Sequence, residues 1–456
     1  MPLSRVLIAN RGEIALRVVR ACHEQGLEAV VVTSTADRNS VPTQVADRVV
    51  TIGPPKVGAS YLRQDALLAA ALGTGCDAVH PGYGFLAENP DFAEACAREG
   101  LTFVGPPGEI IRSMGNKLAA RQLAAEASVP TVPGSPHIED LASAQAAAEQ
   151  IGYPLLIKAA AGGGGRGIRV VHEPSQLRSS FEGAAGEAEA AFGDGTVYIE
   201  RYVQRGRHIE VQVLADQHGH VVHLGDRDCT MQRRYQKIIE EAPATLIPGE
   251  VGQELRHAAV RLCERIGYIN AGTVEFIFDD DRQQFYFLEM NTRIQVEHPV
   301  TEQITGIDLV QQQLRIAAGE PLPFTQADIT LNGHSIECRI TAEDAAASFR
   351  PVPGRIQVWD PPTGPDIRLD SHVEPGYLVP PFYDSLLGKL IVTGASRAEA
   401  IARVRSALDR FDVQGVPTTI DFLAALVGSD AFARGDFHTK WVEANLEQLV
   451  PQRADR

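Results

Sequence analysis

Residues 158–170 read KAAAGGGGRGIRV: a lysine, three alanines, four consecutive glycines, then Arg166, Gly167 and a β-type run. Such a stretch can be a flexible linker, a tight turn, or a loop built to hold phosphate. A Walker-type phosphate loop needs G-x-x-x-x-G-K-[ST], with its lysine after the glycines. Here Lys158 comes before them and no Gly-Lys-Ser/Thr follows, so a Walker-type ATPase is excluded.

Outward from this loop, residues 137–203 read as a small αβ segment, and the Val/Pro-rich VPTVPGSP (129–136) breaks regularity before it. The first hundred residues alternate strand and helix signals. RVLIAN, EAVVVTS, CDAVHPG and LTFVGP are strand-like, and EIALRVVRACHEQG, YLRQDALLAAALGTG and NPDFAEACAREG are helical. This rhythm predicts a doubly wound parallel sheet, and the lack of G-x-G-x-x-G after its first strand argues against a dinucleotide site. Asn116 is placed to cap the helix KLAARQLAAEAS. After residue 203 the pattern becomes hairpin-rich, in HIEVQVLADQHGHVVHLG and TVEFIFDDDRQQFYFLEMN. A Pro-rich stretch at 351–365 opens a last strand-rich section, and helices return after Ala395.

The chain has 456 residues, 44% hydrophobic and 22% charged, which suits a globular enzyme of several domains. Its net charge of −16 argues against nucleic acid as the main ligand. The six cysteines form no CxxC or Cys/His cluster, so reduced core residues are expected. Charges interrupt the N-terminal apolar run and no stretch is long enough for a membrane span, so the cytoplasm is the expected compartment.

The hairpin at 273–290 carries a register argument. Centred on Arg282, it places Glu275 opposite Glu289, with Cβ atoms roughly 4.5–5.5 Å apart. Two carboxylates so close repel unless a cation or proton intervenes, and a hard divalent ion would serve. A solvated sheet face with two adjacent acids is the plainer alternative. In EMNTRIQVEHP, residues Glu289, Asn291, Arg293, Gln295 and Glu297 fall at every second position. An extended segment would put all five on one face, a floor able to bind metal, fix an anion and supply a base. An exposed edge strand would read the same way.

Other residues are weaker signals taken singly. Lys158 could meet phosphate or be a surface lysine, and Lys117 starts a helix, a poor place for a cation unless an anion shares it. Lys237 belongs to a charge run, DRDCTMQRRYQKIIEEAP. Glu337 and Arg339 in SIECRI would share a strand face, as a surface ion pair would. His218, His220 and His223 crowd a hairpin turn and read as polar turn residues rather than a metal site.

Together the stretches IANRGEIALRVVRAC, HPGYGFLAEN, KAAAGGGGRGIRVV, RHIEVQVLAD, DCTMQRRYQKIIEEAP, EMNTRIQVEHPVTE and PPFYDSLLGKLI resemble the biotin carboxylase family of ATP-grasp enzymes, in the family's order and over nearly the whole chain. The resemblance implies an α/β ATP-grasp fold. Its parts would be an N-terminal domain at 1–114, an ATP-grasp domain at 115–330 with a mobile lid at about 132–203, a C-terminal domain at 331–446 and a tail at 447–456. It implies ATP-dependent carboxylation of biotin by bicarbonate through carboxyphosphate. By this likeness Lys117, Lys158, Gly164, Gly165, Glu200, Arg201, Tyr202, Val203 and His208 would hold ATP, with Tyr235 nearby. Glu275, Glu289 and Asn291 would bind Mg²⁺ or Mn²⁺, as two ions. Lys237, Arg293, Gln295 and the backbone of Val296 would position bicarbonate, Glu297 would act as general base, and Arg339 would stabilise carboxyphosphate and the biotin enolate. The opening glycines then read as the turn of a lid hairpin with Lys158 at its base.

The chain departs from the family pattern at several places. Tyr235 stands for a histidine, MGNK with Asn116 for MGDK, Pro42 where histidine is common, and the glycine run begins one residue late. Arg350 follows an apparent insertion. The sequence has no Met-Lys-Met hallmark of a biotinylated domain, so biotin is expected on a separate carrier protein, with separate carboxyltransferase subunits. That arrangement resembles bacterial acetyl-CoA carboxylase, whose biotin carboxylase subunit is a homodimer. A propionyl-CoA or pyruvate carboxylase, or another ATP-grasp acyl-phosphate ligase, stands as the alternative.

Overall fold

The computed structural model describes residues 3–135, 138, 140–159, 168–193 and 195–450. The N-terminal part is a parallel sheet of β1 (Arg5–Ile8), β2 (Glu28–Ser34), β3 (Arg48–Gly53), β4 (Ala78–His80) and β5 (Thr102–Phe103), in the order β3-β2-β1-β4-β5. Its central strands are apolar on both sides, as a sheet covered on both faces requires. Val6, Ile8 and Val31 pack into one core, and Leu7, Val30 and Val32 into the other. Strand order reverses between β1 and β4, where ligands of open α/β sheets bind. There the amide of Asn10 donates to the carbonyls of Pro81 and Tyr83, both at 2.7 Å, and fixes the HPGYG loop beside the cleft.

A small antiparallel sheet follows, of β6 (Leu155–Ala159), β7 (Ile168–Val171) and β8 (Val197–Arg201), in the order β7-β6-β8. It has its own core, where Leu155, Ile157 and Ile199 meet Ala144, Ala148 and Phe181 of two covering helices. Because β6 pairs with β7, the flanks of the glycine run are two strands of one hairpin, which the linker reading does not allow. The run itself, with Gly164 and Gly165, lies outside the described residues.

The site rests on an eight-stranded antiparallel sheet. Its strands are β9 (Gly206–Ala215), β10 (Val221–Arg233), β11 (Gln236–Ala242), β12 (Asn270–Asp279), β13 (Gln284–Asn291), β14 (His334–Thr341), β15 (Ile367–Ser371) and β16 (Leu386–Gly394), ordered β13-β12-β9-β10-β11-β14-β16-β15. Period-two alternation divides its faces. Ile209, Val211, Val213, Val274 and Phe276 pack under the helix Gly249–Ile266. His208, Glu210, Gln212 and Glu275 project from the opposite face. Helices after Ala395 cover the β14–β16 end, with Ile336, Cys338 and Ile340 in their core. All six cysteines are buried and unbridged, and no helix among the described residues is long and apolar enough to cross a membrane.

Candidate active site

The β12–β13 hairpin does place Glu275 opposite Glu289, by a route the symmetric register did not include. Next to the turn, Asp279 pairs with Gln284 and Phe276 with Phe287, one residue off that register. Leu288 is the extra residue of a β-bulge, and beyond it the register shifts so that the two acids face each other. Without the bulge Glu275 would oppose Leu288.

The expectation of one extended face from Glu289 to Glu297 is corrected. β13 ends at Asn291, the chain bends at Arg293 and turns at 296–297, and a helix runs from His298 to Thr305. The polar side chains converge because the chain folds around them. Asn291 Nδ2 and Gln295 Nε2 both donate to Glu275 Oε1 at 2.8 Å. Arg293 turns outward, donating from Nε to Glu88 at 2.9 Å and from Nη2 to Asn291 Oδ1 at 3.0 Å.

At the centre sits Lys237, which is no solvated charge. Its Nζ lies 2.5 Å from Glu210, 3.0 Å from Glu275 and 2.7 Å from Glu297. Burial alone would lower its pKa, but the three carboxylates outweigh that and raise it well above the usual lysine value. Burial likewise would raise Glu275 and Glu297, yet both are held well below the ordinary carboxyl range. Lys237 and His208 do this for Glu275, and Lys237, Arg339 and Arg227 for Glu297. His208 Nε2 lies 3.1 Å from Glu275 Oε2. Arg339 bridges two acids, donating from Nε to Glu240 at 2.6 Å and from Nη2 to Glu297 at 2.9 Å. It makes no ion pair with Glu337, which is fully buried.

Glu289 behaves differently. It is exposed and has no hydrogen-bond or ion-pair partner among the described residues. Lost hydration and the facing Glu275 raise its pKa, and nearby Lys117 opposes them. Carboxylates of Glu275 and Glu289 with the amide oxygen of Asn291 are the hard oxygen donors that Mg²⁺ or Mn²⁺ prefers, so the residues present fit a divalent ion.

Of the expected nucleotide residues, Lys158, Glu200 and Arg201 stand on the small sheet, whereas His208 is on β9 and Tyr235 between β10 and β11. Lys158 Nζ donates to Glu200 at 2.5 Å, and Arg121 pairs with the other oxygen of the same acid. Asn116 caps the helix Lys117–Glu126, accepting from the amides of Leu118 and Ala119. Arg201, Tyr202 and Val203 carry the chain from β8 toward β9, and Arg201 and Tyr202 line a groove of about 380 Å³ with Asp281 and Arg282. Tyr235 is 55% exposed at the tip of the β10–β11 hairpin, with Lys440 Nζ 4.1 Å from its ring centre. His218 and His220 are turn residues, as expected: their amides and the His220 ring meet Asp216 at 2.8–3.0 Å.

A cleft of about 560 Å³ opens between the N-terminal sheet and the β11–β14 end, lined by Lys237, Arg293, Val296 and Arg339 with Tyr83 and Phe85. The carbonyl of Val296 accepts from buried Lys389 at 2.9 Å.

Sequence reasoning missed Glu210, Glu240, Arg227, Glu88 and Lys389. Arg227 is fully buried and binds Gln212 and Thr301 through Nη1, and Glu210, Thr273 and Gln295 through Nη2. For Glu210 a signal existed: it shares the alternating face of HIEVQV with His208. The others had none, since each meets its partner across the tertiary fold.

Fold and site together define an ATP-dependent ligase of the ATP-grasp type. Family models match residues 2–111 (biotin carboxylase, N-terminal domain), 116–325 (carbamoyl-phosphate synthase L chain, ATP binding domain) and 337–444 (biotin carboxylase C-terminal domain). The chain belongs to the biotin carboxylase family. It is 52% identical to the biotin carboxylase of Pseudomonas aeruginosa over 446 residues, 97% of this chain and 99% of that protein. It is 51% identical to a pyruvate carboxylase subunit of Methanothermobacter thermautotrophicus over 441 residues, 96% and 89% of the two chains. Among solved structures, it superposes with a TM-score of 0.92 and 44% identity on the biotin carboxylase domain dimer of Hydrogenobacter thermophilus 2-oxoglutarate carboxylase, in complex with MgADP, ADP and bicarbonate, covering 100% of both chains. ATP and a divalent metal are accordingly its cofactors.

Proposed function

We propose that the chain transfers a carboxyl group from bicarbonate to biotin carried on a separate carrier protein, as the biotin carboxylase component of a multi-subunit acetyl-CoA carboxylase, the first step of fatty acid synthesis. The observation that carries the reading is Glu297, buried and bonded to both Lys237 and Arg339 of the cleft wall.

Lys237, Arg293 and the Gln295–Val296 backbone hold bicarbonate against this wall. In the substrate-free site Glu297 is a weak base because Lys237, Arg339 and Arg227 face it. An arriving anion takes a share of those cations, so the proton affinity of Glu297 rises as the substrate binds. Glu297 then removes the bicarbonate proton while the freed oxygen attacks the γ-phosphorus of ATP and the bond to the ADP oxygen breaks. Lys117, Lys158, Glu200, Arg201, Tyr202, Val203, His208 and Tyr235, with Gly164 and Gly165 of the glycine run, position the nucleotide. Glu275, Glu289 and Asn291 hold magnesium or manganese, two ions in this reading, and the bound metal neutralises phosphate charge. Carboxyphosphate yields CO₂ and phosphate, the released phosphate takes the N1′ proton of biotin, and Arg339 stabilises the resulting enolate, whose N1′ takes up the CO₂.

The chain matches a biotin carboxylase and a pyruvate carboxylase subunit nearly equally, at 52% and 51% identity, so a pyruvate or propionyl-CoA carboxylase is the second reading. We read the protein as a cytoplasmic homodimer divided near residues 114 and 330. ADP release is the test, measured with bicarbonate, Mg²⁺ and free biotin and with each omitted in turn. Turnover that needs neither biotin nor bicarbonate defeats the proposal and leaves another acyl-phosphate ligase. Capture of carboxyltransferase subunits from the source cell identifies the acceptor.

A further inference from the structure

Behind Arg339 lies a buried acid that the reaction above does not use. Glu337 of β14 is directly opposite Glu240 of β11 in an antiparallel pair, and both residues are 0% exposed. Among the described residues, neither oxygen of Glu337 has a hydrogen-bond partner, and Glu240 Oε2 has none either. Glu240 Oε1 receives Arg339 Nε at 2.6 Å and lies 2.6 Å from Nη2 as well.

The surroundings disfavour a charge on Glu337. Its other cross-strand neighbour, Ile391, packs with Ala242, Val300 and Ile304 in a small apolar cluster. The charged groups acting on it are Glu240 of β11, Glu297 before the 298–305 helix, Arg339 of its own strand and Lys389 of β16, while Lys237 of β11 acts on Glu240. Both lysines are committed elsewhere: Lys389 Nζ to Glu13 at 3.0 Å and the Val296 carbonyl at 2.9 Å, Lys237 to its three acids. Arg339 already serves Glu240 and Glu297. An ionised Glu337 would be a buried anion with no donor, beside two further carboxylates. Burial and the neighbouring acids raise its pKa well above the ordinary value, against the pull of Lys389 and Arg339, and raise that of Glu240 to about 7.

We propose that Glu337 is a positioning residue, a neutral carboxylic acid whose O–H donates to Glu240 Oε2 and so fixes how Glu240 holds Arg339. Facing residues of an antiparallel pair have Cβ atoms about 4.5–5.5 Å apart, within reach of such a bond by side-chain rotation. An apolar site that keeps a carboxyl neutral turns it into a donor. With Oε2 satisfied, Glu240 engages Arg339 through Oε1 only, 2.6 Å from both Nε and Nη2, so that Nη2 is shared with Glu297 and Nη1 is left for an anionic substrate. With Oε2 unsatisfied, Glu240 brings this second oxygen to the guanidinium too, takes Nη2 from Glu297 and clamps Arg339 away from the cleft.

The kinetic consequence rests on the role given to Arg339 in the proposed reaction; the protonation state does not. Infrared spectra of the whole protein at pH 8 are expected to show a protonated carboxyl band that shifts in D₂O and is missing in Glu337→Gln. Absence of the band in the wild type overturns the proposal even if the enzyme carboxylates biotin. Glu337→Gln keeps a neutral donor and is expected to turn over within about twofold of wild type. Glu337→Leu removes the donor, and its kcat is expected to fall about tenfold or more, the scale of one hydrogen bond to a charged group, with the KM for ATP within about twofold. Wild-type turnover in Glu337→Leu, or equal damage in the Gln and Leu variants, overturns the positioning role. Should Glu337→Leu fail to fold, the infrared band and the Gln variant decide.

Discussion

Arg227 donates to Gln295 Oε1 at 2.6 Å, and both side chains are buried beneath the floor of the cleft. This bond fixes which end of the Gln295 amide faces Glu275, whose oxygen receives Nε2 at 2.8 Å. The same Nη2 reaches Glu210 Oε2 at 3.0 Å, while the other oxygen of Glu210 holds Lys237. One guanidinium thus orients Glu210 directly and Glu275 through Gln295, two of the three acids around the central lysine. Arg227→Met leaves Glu210 buried with half its charge compensation gone and is expected to lose about 3–5 kcal/mol of stability. Arg227→Lys keeps the charge but loses the planar fork. Its melting temperature should fall less, while bicarbonate-dependent turnover drops about tenfold, one charged hydrogen bond. Urea melts and steady-state rates on both variants check this.

Asp216 gives a pH dependence far from the site. Burial alone would raise its carboxyl, but the amides of Leu322, His220 and His218 and the His220 ring outweigh it and hold the pKa at about 2. A depressed pKa contributes stability above the unfolded value of about 3.9 and loses it as pH falls through the folded one. The drop between those two values corresponds to about 2.6 kcal/mol at neutral pH. Asp216→Asn should therefore be less stable than wild type by about that amount at pH 7, and by roughly half of it near pH 3. Urea unfolding at the two pH values measures the gap; an unchanged gap refutes the assignment.

Glu275 and Glu289 face each other across one strand pair, and like charges directly opposite are destabilising by roughly 0.2–1 kcal/mol. Glu289→Gln should raise the melting temperature of the metal-free protein by about 1–3 °C. Bound Mg²⁺ should stabilise the wild type and leave the variant nearly unmoved, because ligand binding to the folded state is what raises its stability. Thermal melts with and without Mg²⁺ read this directly, with no dependence on turnover. Equal stabilisation of both proteins would place the ion elsewhere.

Much of this architecture was legible locally. The parallel N-terminal strands announce themselves as short apolar runs between helical segments, and the two hairpins by their turns. The Glu275–Glu289 pair was legible as well, although a bulge at Leu288 that no propensity signals is what produces it. The reading of 289–297 as one extended face failed for the opposite reason. Its alternation is that of a strand, but the chain bends at Arg293 to meet Glu88 from the N-terminal part and then starts a helix. Lys237 and Arg227 sit in a run of charges that resembles a solvated surface. Only the sheet register, which brings Glu210 beside Arg227, turns them into a buried network. Contacts of that kind depend on residues far apart in the chain, so no window of sequence contains them.

Glu297 bonds both Lys237 and Arg339, at 2.7 and 2.9 Å, and is 2% exposed. Glu297→Gln keeps its shape and an acceptor oxygen but cannot take a proton. A positioned general base contributes about 10²–10⁴-fold, so biotin-dependent ADP release should fall by that factor. ATP binding should stay within a few-fold, because Lys158 and Glu200 bond each other at the small sheet and share no partner with Glu297. Removing a negative charge between two buried cations also has a cost in stability, so melting temperature must be followed alongside. A variant that is destabilised yet turns over at the wild-type rate would remove Glu297 from the chemistry. One that binds ATP normally and keeps its fold but releases ADP only at the uncatalysed pace would place the base at this carboxylate.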